Sequence, residues 1–128
     1  MTEINILNSH DKPFKIISAL CTQYYTLYLI SNDNENDKNQ IFCTHQYFGS
    51  KFIEIGNKNP IALYDSAVIN DDGSITLFKY IEENNIRAYH YLIPHEKAIK
   101  LAIVYCILYA LGSKGSVYSL FLSEITIQ

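Results

Sequence analysis

Four histidines, three cysteines and eleven tyrosines give this 128-residue chain most of its chemical range. A thiol nucleophile needs an imidazole nearby and an electropositive setting. Cys43 and His45 form the one close pairing, since residues i and i+2 on a strand share a face. Cys106 lies in the most apolar run of the chain, where a thiol is inert. His90 and His95 are five residues apart around Pro94. That spacing fits neither the i, i+4 pair of a helical zinc site nor one face of a strand. The acidic stretch 33–37 suggests calcium, but an EF-hand loop counted from Asp33 needs Gly and Glu where Lys38 and Thr44 stand. Gly112-Ser-Lys-Gly115 lacks the longer glycine-lysine frame of a P-loop and reads as a turn. No catalytic residue, metal ligand or cofactor is therefore expected, and the chain reads as a non-enzyme. Tyrosine suits a different role, because its ring is rigid and its hydroxyl can stay wet at an interface. Tyr80, Tyr89 and Tyr91 sit in a weakly patterned stretch and are the candidate partner contacts. The alternative is that they simply fill sheet surfaces.

These side chains must be positioned by strands. Tyr24–Ile30 is rich in aromatic and β-branched residues and is followed by a polar stretch, 31–39, with no apolar residue. Gln40–Thr44 follows, so the two runs predict a hairpin around a solvated loop. Ser66–Ile69, Asn70-Asp-Asp-Gly73 and Ser74–Phe78 repeat the pattern, and Asp-Gly between apolar runs is a strong hairpin signal. Cys106–Leu111, Gly112–Gly115 and Ser116–Leu120 repeat it again. The turn glycines Gly73 and Gly115 are 42 residues apart, and Ile30, Ile69 and Leu111 are spaced by 39 and 42. A short apolar run precedes each hairpin, at 14–17, 60–63 and 98–101. A fixed period of this size is the mark of a repeat architecture, in which each unit buries its apolar face on its neighbours. One stretch has a second reading: 94–112 also fits a buried helix, with Pro94 near its start and Gly112 as its cap. Periodicity alone does not separate the two. A small α+β domain built on that helix is the alternative fold.

Length and composition bound the rest. A chain of this size fits one domain, here 1–128. Apolar residues make up 48%, enough for a core, while the 18% of charged residues falls below the usual quarter or so. A weakly charged surface points to cover by something else, either more chain or a partner. Net charge is −3 and no run of Lys or Arg occurs, which disfavours nucleic acid. The apolar run 101–111 is too short to span a bilayer, and the first ten residues lack the order of a signal peptide. Three widely spaced cysteines and no glycosylation sequon predict reduced, buried thiols in an intracellular protein of cytoplasm or nucleus.

The third copy, Lys97-Ala-Ile-Lys-Leu-Ala followed by Leu108-Tyr-Ala-Leu-Gly-Ser-Lys-Gly-Ser-Val-Tyr-Ser119, resembles the repeat of the regulator of chromosome condensation family. Ala67–Ile75 and the runs Ile16–Cys21 and Tyr25–Leu29 resemble it in the other two copies. Thr22 stands where that repeat usually carries glycine, and the chain has no tryptophan. The resemblance implies an all-β fold of three antiparallel repeats, approximately 14–48, 52–80 and 94–122, in a partial, open β-propeller. Propellers close with about four to eight sheets, so three leave an arc with exposed edges: the chain is expected either to self-associate or to be a fragment of a longer ancestral protein. Missing catalytic motifs, a neutral-to-acidic balance and abundant tyrosine favour a non-enzymatic protein-interaction module. The alternative implied by the family is guanine-nucleotide exchange on a small GTPase.

Overall fold

The computed structural model describes residues 1–8, 10–31, 38–82 and 85–122, leaving aside the side chains of 79–82 and 85–86. All regular structure in these residues is strand. The first sheet holds β1 (Lys15–Cys21), β2 (Tyr25–Ser31), β3 (Gln40–His45) and β4 (Gly49–Ile53). The second holds β5 (Pro60–Tyr64), β6 (Ala67–Asn70), β7 (Ile75–Glu82) and β8 (Asn85–Tyr91). The third holds β9 (Ala98–Val104), β10 (Ile107–Gly112) and β11 (Val117–Phe121). Every sheet is antiparallel and its strands lie in chain order.

The helical reading of 94–112 is overturned. That stretch is β9 and β10, joined by a two-residue turn, Tyr105-Cys106, with Tyr105 at φ 56°. Leu101, Leu108 and Ala110 then fall on one face and are buried, while Ala102 and Tyr109 fall on the other. An apolar run with a period of two in burial is a strand buried on one side.

The two glycine turns share one geometry. Asn70 N–H donates to the Ser74 carbonyl at 2.9 Å and Gly73 N–H to the Asn70 carbonyl at 2.9 Å. Gly112 and Ser116 repeat the first bond at 2.8 Å, and Gly115 and Gly112 the second at 3.0 Å. Gly73 and Gly115 take φ of 83° and 92°, the left-handed region that glycine enters without steric cost. The residue after each turn's first position also bonds back to the lead-in of its sheet, Asp71 N–H to the Asn59 carbonyl and Ser113 N–H to the Lys97 carbonyl.

The sheets stack face to face in series, giving two apolar layers. Leu27, Ile41, Cys43 and Ile53 of the first sheet meet Val68 and Phe78 of the second. Ala67, Ile69, Ile75 and Leu77, on the opposite face of the second sheet, meet Leu101, Leu108 and Ala110 of the third. The second sheet is thus covered on both sides, which is why all four residues of β6 are buried. The far face of the first sheet carries a cross-strand row, Tyr28, Phe42 and Phe52. Phe14, from the segment before β1, packs edge-on against Phe52 with ring centroids 6.3 Å apart. Phe14 N–H donates to the carbonyl of buried Ile6, so this segment partly caps that face.

Candidate functional site

The far face of the third sheet has no cover among the described residues. Counting 42 residues on from the second sheet, as the matched turns direct, Ala67, Ile69, Ile75 and Leu77 correspond to Tyr109, Leu111, Val117 and Ser119. The first four are 0–6% exposed because the third sheet lies on them. Tyr109 is 38% and Val117 67% exposed. Val104, Ile107 and Phe121 extend the same face by strand register, and Lys100 supplies its one charge. A continuous apolar sheet face left in water is the usual signature of a docking surface.

On the other side of the same sheet runs a groove. A cavity of about 180 Å³ lies between the second and third sheets, lined by Tyr91, Ile93, Pro94, Leu108, Tyr118 and Leu120 among others. Tyr118 hydroxyl donates to Glu96 Oε2 at 2.8 Å at one end. That bond, with the Lys114 amide on the same carboxylate, holds Glu96 below its ordinary pKa and raises Tyr118. Burial raises the Tyr91 phenol, with neighbouring Tyr89 adding to it.

Two of the candidate tyrosines share one face of β8. Tyr89 and Tyr91 are half-buried on β8, opposite Leu77 and Ile75, and so face the third sheet. Tyr91 packs against the second apolar layer and lines the groove. Tyr80 pairs with Ile86 along the backbone, and its side chain lies outside the described residues. Tyr109 and Tyr118, which sequence reasoning did not single out, sit on the exposed face and at the groove. Their alternation on β10 and β11 was visible in the sequence, but nothing there said which sheet would lack cover.

Other candidate chemistry is dispersed. Cys43 is fully buried, and His45, two residues on, stacks on Tyr25 and meets Phe48 at a tilt. The expectation of buried thiols fails for Cys21 and Cys106, which are exposed, because Cys21 ends β1 and Cys106 lies in the turn between β9 and β10. Among the described residues no three His, Cys, Asp or Glu side chains gather as metal ligands. The acidic stretch 33–37 lies outside the described residues. Thr76 Oγ1 lies 2.7 Å from His90 Nδ1, a hydroxyl–imidazole pairing of the kind that activates a nucleophile. Thr76 is fully buried, however, and Asn70 Nδ2 donates to the same oxygen at 2.7 Å. Substrate cannot reach it. Asn70 also donates to Ser74 Oγ, which bonds Asp72, whose other oxygen pairs with Lys58 at 2.6 Å. This chain of polar groups fixes the turn at 70–74 against the inter-sheet layer.

A second hollow, about 340 Å³, opens at the β1–β2 end among Thr22, Tyr24, Tyr25 and His45. Tyr25 hydroxyl donates to Asp65 at 2.6 Å, tying the first two sheets together. Burial, then that bond, pushes its pKa up to about 12. No charged group converges on the hollow in a way that selects a ligand. No helix of the described residues is long and apolar enough to cross a membrane. No family model, curated protein or solved structure matches this chain.

Proposed function

We propose that this chain is a non-enzymatic protein–protein interaction module, built from propeller-type β-repeats of the regulator of chromosome condensation kind. Two matched glycine turns and three sheets stacked in series support the repeat reading. One observation carries the functional reading. The face that receives a sheet at Ala67, Ile69, Ile75 and Leu77 recurs as an apolar face around exposed Tyr109 and Val117 and half-buried Leu111. Burying such a face contributes roughly 25 cal/mol per Å². With a single lysine and no carboxylate on it, the face suits an apolar protein surface and not a polyanion.

Proximity labelling from the full chain, in parallel with Tyr109→Lys, tests this. The reading expects a reproducible set of protein neighbours that the variant loses. Recovery of no consistent neighbours, or the same set from both, would overturn it. Light scattering of the purified chain then separates partners: a dimer that Tyr109→Lys dissolves identifies a second copy, and a monomer identifies a different protein.

A further inference from the structure

The first two sheets have four strands and the third has three among the described residues. In the layer between the first and second sheets, both fourth strands contribute apolar side chains, Ile53 from β4 and Ala88 from β8. In the layer between the second and third sheets, β8 contributes Tyr91, and the counterpart position beside β11 is the groove. Its lining is apolar: Ile93, Leu108 and Leu120 with the rings of Tyr91 and Tyr118.

Among the described residues, the backbone on the outer side of β11 has no strand partner either. Gly112 N–H donates to the Ser116 carbonyl, and Leu122 N–H to the Cys106 carbonyl. Antiparallel pairs alternate in their bonding, so the even residues of β11, Tyr118 and Leu120, turn their amides to β10. Val117, Ser119 and Phe121 turn theirs to the outer edge of β11, which no other described strand pairs. A row of unpaired amides next to an apolar slot is the arrangement by which sheets bind extended peptides.

We propose that β11 and the groove accept an extended peptide segment of a partner protein, added antiparallel to β11 as a fourth strand. Alternate side chains of the segment are apolar and enter the slot, as Ile53 of β4 enters the layer before it. Its C-terminal end lies by Val117 and Glu96, where a basic residue is favoured. This names a mode of binding and so rests on the reading of the chain as a protein-interaction module.

The test is amide hydrogen exchange by NMR on the full chain, with and without a synthetic octapeptide, Lys-Thr-Val-Thr-Val-Thr-Val-Lys. The amides of Val117, Ser119 and Phe121 exchange quickly in the free chain and slow by at least about tenfold at saturating peptide. Those of Tyr118 and Leu120 are protected in both states. Ser119→Pro removes an edge donor while sparing the bonds to β10, so the folded variant loses the peptide effect. No slowing with peptide, or retained slowing in Ser119→Pro, would overturn the proposal. So would protection of the three edge amides without peptide, which would mean that this chain or a second copy already closes the edge. If Tyr109→Lys abolishes partner capture while the peptide leaves β11 unchanged, the interaction reading stands and this mode alone falls.

Discussion

The backbone carbonyl of Gly73 accepts the amide of Ala98 at 3.0 Å, so the glycine turn of the second sheet holds the first residue of the third. A Cβ on Gly73 would meet Lys97, reaching its Cα at 2.9 Å, in a backbone already at φ 83°. Gly115 has the same left-handed backbone but open space around it. The two glycines therefore separate backbone strain from close approach. Gly115→Ala should cost about 1–2 kcal/mol from the backbone alone. Gly73→Ala should cost about 1–2 kcal/mol more, by displacing the junction between sheets. Urea unfolding midpoints measure both, and equal losses would contradict the account of that junction.

Thr76 and Asn70 are fully buried polar residues in an apolar layer. Thr76→Val keeps the shape and removes the bonds to Asn70 and His90, leaving the Asn70 amide without that acceptor. A loss of about 1–3 kcal/mol is expected. Partner capture should be unchanged in the folded variant, since the pair is structural.

Asp72 shows how the turn responds to acid. Lys58, then the Ser74 hydroxyl and amide, hold its carboxyl well below the usual carboxylate range. A folded value below the unfolded one adds stability that is present above about pH 4 and fades as pH falls toward the folded value. Asp72 is largely exposed, so screening limits the effect to under about 1 kcal/mol. Asp72→Asn should lower stability slightly at pH 7, with the difference closing on acidification and shrinking in high salt.

Tyr25 gives the opposite limb. Its phenol is raised to about 12, so its contribution is present below its ordinary value near 10 and is lost as pH rises through about 12. Tyrosine absorbance titration of the chain and of Tyr25→Phe should differ by one late-ionising phenol. Identical curves would sink the Tyr25–Asp65 link between the sheets.

Much of this fold was legible in the sequence, and the exceptions have physical causes. Nine of the described strands lie on apolar runs bounded by turn residues, and the glycine turns fix the register of β6 with β7 and of β10 with β11. β4, Gly49–Ile53, and β8, Asn85–Tyr91, were not anticipated. Both are edge strands in which polar residues break the apolar run, and Ile53 is the one buried residue of β4. The strand pair in 98–112 was ambiguous because its turn, Tyr105-Cys106, contains none of the residues that usually mark one. The exposed face was not legible at all. Val117 and Ile75 are equally apolar in sequence, and only the stacking order leaves one open and the other buried.

Hydroxyl-radical footprinting of Tyr109 and Phe121, in the free chain and in the complex captured by proximity labelling, tests the central claim most directly. The account predicts rapid modification of both rings in the free chain and strong protection in the complex, with Tyr28 and Phe42 on the first sheet unchanged. Equal modification of Tyr109 and Phe121 in both states would contradict it.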